Sequence, residues 1–481
     1  MNRAPRRIEP KPKPHRALKK KRSLSTEITI VGAGLAGTEC AFQLAERGHS
    51  VRLVEQKPRV KTPAQKLDGL AELVCSNSFR ADAIHNAVGL LKEEMRRAGS
   101  LIIHAGERTR VPAGGAFAVD RALFSELITR VIREHPRIEL VEEEVTELPE
   151  PPSEGESGSI TILATGPFTG DRLADALEQL LGEEHLAYYD AIAPVVLAES
   201  IDFSKAFMAS RYDKGDGDDY VNCPLTEAQY HAFIDALLEA ELVPLREFEN
   251  PRYFEGCVPI EELARRGRET LAFGCMKPVG LRDPRTGERP YAVVQLRKEN
   301  QEGTAYNLVG FQSRMKWPEQ ARVFRMIPGL EAAEFERYGS VHRNTFIDSP
   351  RVLNPNLSLT ARPDIRLVGQ ITGVEGYVES AASGLALGIS IANLLEKGEE
   401  LLPPRESALG SLLSHLRRED ADFQPSNIVF SAFPPLEERA RGKRDRRDKM
   451  VERALKSLAP YLEVAGVEGL LQNLPARLDG A

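Results

Sequence analysis

The stretch ITIVGAGLAGTECAFQLAERGHSVRLVEQ, residues 28–56, predicts a strand, a glycine turn, an amphipathic helix and a second strand. Gly32, Gly34 and Gly37 form a G-x-G-x-x-G motif between the first strand and the helix. Glycine permits the tight turn and the close approach of a pyrophosphate, which the helix N-terminus attracts. Glu55 ends the second strand, where its carboxylate can accept hydrogen bonds from ribose hydroxyls. The stretch therefore indicates a dinucleotide-binding βαβ unit.

Two later glycine-containing stretches favour FAD over NAD as the dinucleotide. ATGP at residues 164–167 follows a predicted buried strand, and GQITGVEGYVESAASG at residues 369–384 leads into a long helix of small residues. Flavoproteins of the glutathione-reductase type bring such a second pass of the chain against the pyrophosphate, and an NAD-only dehydrogenase does not need the late pass. No motif identifies the hydride donor that reduces FAD. The glycines expected to contact FAD in these stretches are Gly166, Gly369, Gly373 and Gly376.

The composition is that of an ordinary soluble globular protein. Hydrophobic residues make up 42% and charged residues 28% of the chain, and no apolar run reaches the roughly 18 residues that a membrane-spanning helix needs. The N-terminal residues are basic and lack the apolar segment of a signal peptide. The five cysteines form no C-x-x-C pair, which disfavours disulfides and zinc. We therefore expect a cytoplasmic location, no membrane partner and no metal.

The length of 481 residues predicts two domains or one domain with a large insertion, because single cores stop growing at roughly 250–300 residues. The alternation of strands and helices fades in the middle of the chain and returns near Asp364. The predicted fold class is α/β, with a Rossmann-like FAD-binding domain of the glutathione-reductase type and an inserted α/β domain. The predicted segments are a disordered basic tail at 1–24, the FAD-binding domain at 25–199 and 327–402, the inserted domain at 200–326, and a charged helical C-terminal region at 403–481.

Charge is unevenly distributed along the chain. The formal net charge is −7, which disfavours nonspecific binding of nucleic acid by the chain as a whole. Residues 1–23 and 438–456 are nevertheless strongly basic. Such segments are either solvated surface with a disordered tail or a contact surface for a phosphate backbone, and the sequence leaves both interpretations open.

Cys75 and Cys257 are the candidate reactive thiols. Cys75 lies in LAELVCSNSFR, residues 70–80, where the polar residues after it predict a helix start and Arg80 adds a nearby cation. A helix start and a cation both suit a thiol that acts as nucleophile or base. Cys257 lies in YFEGCVPIEELARRG, residues 253–267, on a turn before a predicted helix. For each cysteine, packing as a small hydrophobic residue is the open alternative.

Two further groups of residues have weaker signals. His342 and Arg343 are neighbours in SVHRNTFIDSP, residues 340–350, and form a cluster of hydrogen-bond donors whose role the residues alone leave open. Cys40 lies inside the first predicted helix and is expected to be structural. The same expectation holds for Cys223 and Cys275, which lack a helix start.

A series of stretches carries a family resemblance. They are VGAGLAGTECAFQLAERG, TPAQKLDGLAELVCSNSFR, NAVGLLKEEMRR, VPAGGAFAVDR, SRYDKGDGDDYVNCP, FEGCVPIEELARRG, KPVGL, RPYAVVQLRKEN, HRNTFIDSP and GQITGVEGYVESAASGLALG. In this order they resemble the TrmFO family of folate- and FAD-dependent tRNA (uracil-5-)-methyltransferases. The resemblance covers residues 26–395 and continues weakly through DFQPSN at 422–427. The related tRNA-modifying flavoproteins of the GidA type share the glycine motif and the general fold, but not the Cys75 and Cys257 stretches.

The resemblance implies a reaction and its participants. Such a family carries a one-carbon unit from 5,10-methylenetetrahydrofolate to C5 of the T-loop uridine of tRNA, uridine-54, and reduced FAD supplies the hydride that turns methylene into methyl. NADPH or NADH is the implied reductant of FAD. Cys257 would be the nucleophile that adds to uracil C6, and Cys75 the base that removes the C5 proton. His342 is the candidate flat partner for the pterin of the folate, and Arg343 the candidate contact for its glutamate tail or a phosphate.

Departures from the family pattern leave alternatives. The family usually has histidines after TPA, where this chain has Gln65 and Lys66, and the basic N-terminal tail is an addition. The same chemistry on a ribosomal RNA uridine and a GidA-like tRNA modification both stay open. A flavin thiol-redox enzyme without an RNA partner is a different class, which the absence of a C-x-x-C pair disfavours.

Overall fold

The structure, a computed structural model, describes residues 26–62, 64–151, 158–182, 186–213, 217–244, 258–417, 423–467 and 470, and for 186–192, 213 and 341–345 it describes the backbone alone. The basic tail expected at 1–24 lies outside the described residues. Within the described residues the strands form four sheets.

Short strands and helices of very different lengths make up the described chain. The strands are, in chain order, β1 Ile28–Val31, β2 Val51–Glu55, β3 Ser78–Ala81, β4 Arg110–Val111, β5 Ala116–Val119, β6 Ile138–Glu142, β7 Ile160–Leu163, β8 Leu186–Ile192, β9 Val195–Leu197, β10 Phe207–Met208, β11 Tyr220–Leu225, β12 Ala292–Lys298, β13 Ala305–Leu308, β14 Phe335–Arg337, β15 Ser340–Phe346 and β16 Ile365–Leu367. The α-helices are α1 Leu35–Glu46, α2 Ala87–Arg97, α3 Leu101–Arg108, α4 Arg121–Glu134, α5 Asp171–Leu181, α6 Glu227–Glu239, α7 Ile260–Arg266, α8 Thr270–Phe273, α9 Trp317–Phe324, α10 Ser349–Val352, α11 Tyr377–Lys397, α12 Ala408–His415 and α13 Lys443–Ala465.

A parallel five-stranded sheet has the opening βαβ unit at its centre. Its strand order is β16, β7, β1, β2, β6, and every pairing is parallel. Ile30 of β1 is paired with Leu53 on one side and Ile162 on the other, and all three are fully buried. Parallel sheets that are covered on both faces need such apolar strands. The predicted Rossmann-like α/β fold is confirmed, and β16 shows that both halves of the chain build this sheet.

Helix α11 packs directly on α1. A methyl group on Gly384 would lie 2.2 Å from the Ala36 carbonyl oxygen, and one on Gly388 would lie 3.0 Å from that of Cys40. The missing side chains therefore let the two helix backbones approach closely, and Cys40 is fully buried in this contact. By length and composition α11 could cross a membrane, and 89% of its most apolar window is buried inside the protein.

A six-stranded antiparallel sheet forms a second core. Its strand order is β10, β11, β12, β13, β9, β14, and α6 shares the core with β11 and β12 through Tyr230 and Phe233. The strands of this sheet begin at Val195 and end at Arg337, outside the interval 200–326 at both edges. The domain boundaries at 199 and 327 stay a prediction from the sequence.

The C-terminal helices pack on the core of the parallel sheet. Glu94 of α2 accepts hydrogen bonds from Ala408 N at 2.7 Å and Leu409 N at 2.9 Å, the first residues of α12. Met450 and Leu458 of α13 are buried in the same core as β1. A three-stranded sheet of β3, β5 and β4 and the pair of β8 with β15 complete the described strands.

We expect Gly384→Ala to lower the free energy of unfolding by about 1–3 kcal/mol, because its methyl group would meet the Ala36 carbonyl oxygen and push α11 away from α1. Denaturant unfolding of the ligand-free protein measures the effect. Gly34→Ala is the matched control, since its methyl group would have no heavy atom within 4 Å. Equal unfolding midpoints for the two variants would contradict the close helix contact.

Candidate cofactor cleft and active site

A cleft opens along the carboxyl ends of the parallel strands, the edge at which open parallel sheets bind ligands. Its lining residues follow β1, β2, β7 and β16, and its empty volume is about 1000 Å³. Of the residues that the sequence predicts, the lining includes Gly32, Gly34, Glu55, Gly166 and Gly369. The fold thus brings predicted residues from distant parts of the chain to one edge of the sheet.

The three glycines of the first turn have different tasks. A methyl group on Gly37 would lie 1.9 Å from the Gly32 carbonyl oxygen, and one on Gly32, whose φ is +98°, would lie 2.5 Å from that of Ala164. These two glycines therefore let the turn close and β7 approach it. Gly34 lines the cleft with open space beside its Cα. That space, at the N-terminus of α1, fits an anionic group such as a pyrophosphate.

Two backbone groups hold the Glu55 carboxylate at the cleft. Its Oε2 accepts a hydrogen bond from Ala33 N at 2.7 Å, and its Oε1 accepts one from Lys57 N at 3.0 Å. Each carboxylate oxygen keeps a further lone pair for a donor such as a ribose hydroxyl. Glu55 therefore also fixes the glycine turn, a contribution that the sequence analysis missed.

The later glycines divide into two groups. Gly166 and Gly369 line the cleft. Gly373 and Gly376 lie in the turn before α11, where a methyl group on Gly373 would meet an aromatic ring of the C-terminal region and one on Gly376 would lie 2.6 Å from Glu379 Oε2. All four glycines have a positive φ. Gly373 and Gly376 therefore shape the turn, and their contact with a cofactor stays a prediction.

Cys75 does not lie at a helix start, so that prediction was wrong. The polar residues after it lead into β3, whose Ser78 is paired with β5, and the next helix along the chain is α2. Pairing with a strand from elsewhere in the chain overrides the local helix signal. Arg80, the expected cation, forms an ion pair with Glu379 of α11. Its charge is therefore matched by a carboxylate and not by the thiol.

Tyr377, the first residue of α11, connects the cleft to the loop of residues 75–77, which we call the Cys75 loop. Its hydroxyl oxygen accepts hydrogen bonds from Cys75 N at 2.6 Å and Ser76 N at 3.2 Å, and the residue lines the cleft. Burial, followed by the neighbouring Cys75, raises the pKa of Tyr377 well above its usual value. The hydroxyl therefore keeps its proton at neutral pH and can still donate it in a hydrogen bond.

Two arginines from different elements bind the carbonyl oxygen of Cys75. Arg121, at the start of α4, donates from Nη2 at 3.1 Å, and Arg337 of β14 donates from Nη2 at 3.4 Å. Arg121 also forms an ion pair with Glu299. Burial lowers the pKa of Arg337 to about 10, so this guanidinium is still charged at neutral pH. One group from helix α4 and one from the six-stranded sheet thus fix the main chain at Cys75.

Asn77 links the same loop to the six-stranded sheet. Its Nδ2 donates to Val119 O and to Lys298 O, each at 3.0 Å, and its Oδ1 accepts from Arg297 Nε at 3.0 Å. Asn77 and Arg297 are both buried. Cys75 therefore lies where the parallel sheet domain and the six-stranded sheet meet.

Cys257 lies outside the described residues, which begin again at Val258. Helix α7 begins at Ile260, where the sequence predicted a helix. His342 and Arg343 lie on β15, whose backbone is paired with β8. β15 runs beside the turns after β7 and β16 that line the cleft. The roles of these three side chains stay predictions.

The other described cysteines are poor candidates for chemistry. Cys40 and Cys223 are fully buried, and burial raises the pKa of both thiols far above the usual value. Burial also raises the pKa of Cys275, to about 11. A buried, protonated thiol is a weak nucleophile. Cys75 is half-buried, as Cys275 is, but the main chain of Cys75 is hydrogen-bonded to Tyr377, which lines the cleft.

No motif in the sequence predicts a functional role for Tyr377, Arg121 or Arg337. The sequence feature that could have indicated Tyr377 is an aromatic residue directly after Gly376, where the late helix begins. The arginines have no local signal, because Cys75 lies 46 residues from Arg121 and 262 from Arg337. Gln65, a departure from the expected pattern, also lines the cleft.

The chain is similar to known proteins over most of its length. The family model described as glucose inhibited division protein A matches residues 27–399. A protein of Geobacter sulfurreducens described as methylenetetrahydrofolate–tRNA-(uracil-5-)-methyltransferase TrmFO is 58% identical over 436 residues, 90% of this chain and 98% of that protein. A protein of Anaeromyxobacter dehalogenans with the same description is 57% identical over 445 residues, 92% of this chain and 97% of that protein.

Solved structures of Aquifex aeolicus GidA share the fold. The form II crystal structure has a TM-score of 0.66 at 16% identity, and covers 94% of this chain and 77% of the GidA chain. The form I structure has a TM-score of 0.65 at 17% identity, and the match covers 93% of this chain and 78% of the GidA chain. At such identities the likeness shows the arrangement of the backbone alone.

Gly34→Ala should weaken dinucleotide binding in a folded protein, because the methyl group would occupy the open space at the N-terminus of α1. We expect the dissociation constant for FAD to rise about ten-fold or more, equivalent to roughly 1.4 kcal/mol. Fluorescence titration of the flavin-free protein measures it. Gly37→Ala, with its methyl group 1.9 Å from the Gly32 carbonyl oxygen, should instead disrupt the fold. Wild-type FAD affinity in Gly34→Ala would show that no ligand approaches this glycine.

Tyr377→Phe should lower the free energy of unfolding by about 1–3 kcal/mol, because it removes the acceptor of the Cys75 and Ser76 N–H groups. The released loop should also make Cys75 react faster with an alkylating reagent, which mass spectrometry measures. Tyr461→Phe is the matched control, since its buried hydroxyl has no hydrogen-bond partner among the described residues. If Tyr377→Phe and Tyr461→Phe both have the wild-type stability and Cys75 reactivity, the Tyr377 hydroxyl does not hold the Cys75 loop.

Proposed function

The chain belongs to the TrmFO family of methylenetetrahydrofolate–tRNA-(uracil-5-)-methyltransferases, and on this premise we propose that it methylates C5 of uridine-54 in the T-loop of tRNA with 5,10-methylenetetrahydrofolate as the one-carbon donor. Identity of 55–58% over nearly the whole length of the relatives supports the activity. The geometric observation that carries it is the Cys75 loop, which Tyr377 ties to the cleft. The proposed partners are tRNA and folate, and the proposed location is the cytoplasm.

FAD is the cofactor that the cleft fits. The open space at Gly34 suits its pyrophosphate, and the Glu55 carboxylate suits a ribose hydroxyl. Gly166 and Gly369 would approach FAD from the second pass of the chain. Reduced FAD would supply the hydride that converts methylene into methyl, and NADPH or NADH is its proposed reductant.

The two proposed reactive thiols have different roles at uracil, one as a nucleophile and one as a base. Carbon C5 is a weak nucleophile until a thiolate adds to C6 and creates an enolate. Cys257 is the proposed thiolate that forms the bond to C6, after which C5 attacks the activated methylene group. Cys75 is the proposed base that accepts the C5 proton, and the electrons of that C–H bond expel the tetrahydrofolate nitrogen and leave an exocyclic methylene on C5. A hydride from reduced FAD would convert this methylene into methyl, and departure of Cys257 from C6 as a thiolate then restores the double bond.

The hydrogen bonds around Cys75 suit a positioned base. Tyr377 accepts from its N–H, while Arg121 and Arg337 donate to its carbonyl oxygen. All these bonds involve the main chain, so the thiol itself stays free to meet a substrate. A base held in a fixed place contributes to the rate because little freedom is lost in the transition state.

His342 and Arg343 are the proposed contacts for the folate. An imidazole ring is a flat partner for a pterin, and a guanidinium can bind the carboxylates of the glutamate tail or a phosphate. Their strand, β15, runs beside turns that line the cleft, which supports a position near the cofactor.

Purified protein should form 5-methyluridine in an unmodified tRNA transcript when it is given 5,10-methylenetetrahydrofolate and NADPH. Mass spectrometry of the digested RNA measures the product. Cys75→Ala and Cys257→Ala should each lower the rate by about 100-fold or more, because each removes a reacting thiol. Cys275→Ala is the control, since burial keeps that thiol protonated. Product that depends on S-adenosylmethionine would refute the proposed donor.

RNA with 5-fluorouridine at the target position separates the roles of the two thiols. A base cannot remove fluorine from C5, so the adduct with the nucleophile accumulates. The Cys75→Ala protein should still form the covalent adduct, whereas the Cys257→Ala protein should not. The opposite pattern would reverse the assignment. A ribosomal RNA fragment in place of tRNA tests the alternative RNA substrate in the same assay.

A further inference from the structure

A second groove opens near the first turn of α11, outside the cofactor cleft. The end of β3, the start of α2, residues 428–431 and the first turns of α13 line it, and its empty volume is about 1150 Å³. Arg80, Lys443, Arg446 and Arg447 belong to the lining, and no aspartate or glutamate does within the described part of the chain. We call it the basic groove. Because the formal net charge of the chain is −7, a groove whose charged lining residues are all positive is a local exception.

Three cations of the basic groove are available to a ligand. Lys443 and Arg446 are exposed and Arg447 is half-buried, and none of them has an ion-pair partner among the described residues. Asp445, on the same helix, is engaged elsewhere, since it accepts a hydrogen bond from Arg441 N at 2.7 Å. Unpaired ammonium and guanidinium groups from one helix face therefore favour a polyanion in the groove.

Apolar side chains and two helix N-termini also line the basic groove. Val429 is 46% exposed, and the Arg447 guanidinium carbon lies 6.0 Å from the centre of the Phe430 ring. The first residues of α2 and α13 line the groove, so two helix N-termini add positive potential. Phe430 is partly buried. Cations beside a partly exposed aromatic ring are typical of surfaces that bind unpaired nucleotides, because phosphates meet the cations and bases stack on the ring.

The basic groove is connected to the Cys75 loop through the first turn of α11. Arg80, in the groove, pairs with Glu379, whose Oε1 also accepts from Ile428 N at 3.0 Å. Two residues before Glu379, Tyr377 binds Cys75 N. A polyanion in the groove would therefore pass beside the same helix turn that holds the thiol loop.

We propose that the basic groove binds the sugar–phosphate backbone of the RNA substrate next to the uridine that reacts. The inference rests on the proposed function, and it names the surface that holds the substrate. It also assigns Lys443, Arg446 and Arg447 of the basic segment 438–456 to phosphate contact, one of the two interpretations that the sequence left open for that segment.

A matched pair of double variants on α13 tests the proposal. Lys443→Glu with Arg446→Glu changes the groove, whereas Arg444→Glu with Lys456→Glu makes the same change of net charge at exposed positions that do not line it. Affinity for an unmodified tRNA transcript, measured by fluorescence anisotropy, should fall about ten-fold or more in the groove variant, and the slope of log Kd against log salt should fall by about two. The control variant should stay within about two-fold of the wild-type affinity.

Further measurements separate RNA binding from folding and from the reaction. Bound FAD and affinity for 5,10-methylenetetrahydrofolate should be the same in both variants, and saturating RNA should restore kcat in the groove variant while its KM for RNA stays raised. If the two variants bind RNA equally well, or lose affinity equally, the basic groove is not the contact surface. The wild-type protein could form no 5-methyluridine while its RNA affinity still depends on the groove residues. That result would refute the proposed function and support the basic groove as an RNA-binding surface.

Discussion

The close contact between α1 and α11 is the constraint on which the site depends. α1 begins at the dinucleotide turn, and Gly384 lets the backbone of α11 lie against Ala36. This packing places Tyr377, the first residue of α11, at the cleft, where its hydroxyl lies 2.6 Å from Cys75 N. Hydrogen bonds tolerate only a few tenths of an ångström of lengthening. The fit of two helix backbones therefore decides where the candidate base lies.

Buried carboxylates join the other helices to this framework. Glu39 of α1 accepts a hydrogen bond from Ile102 N at 2.9 Å, near the start of α3, and Glu94 of α2 caps the start of α12. Burial raises the pKa of Glu94 to about 8, whereas the N–H groups of the capped helix favour the ionised form. Burying a carboxylate costs several kcal/mol unless such groups offset the loss of water. These contacts make the C-terminal region part of the packing that supports α2 and the basic groove.

The structure agrees with the sequence analysis where the signals are local and departs from it where they are not. The glycine spacing and apolar runs of residues 28–56 predicted β1, α1 and β2, because each of these elements forms from neighbouring residues. The helix start expected after Cys75 is a strand, because pairing with β5 outweighs the capping preference of short polar residues. Arg80 binds Glu379, and Arg121 and Arg337 take the place beside Cys75 that it was expected to have.

The sequence by itself determined the dinucleotide turn and the family, since both depend on residue types at short spacings or in a fixed order along the chain. The tertiary structure decided the surroundings of Cys75 and the existence of the basic groove. Cys75 and Tyr377 are 302 residues apart, and Arg80 and Glu379 are 299 apart. Contacts of this kind form when the path of the folded backbone brings distant segments together, and no local pattern of residues specifies that path.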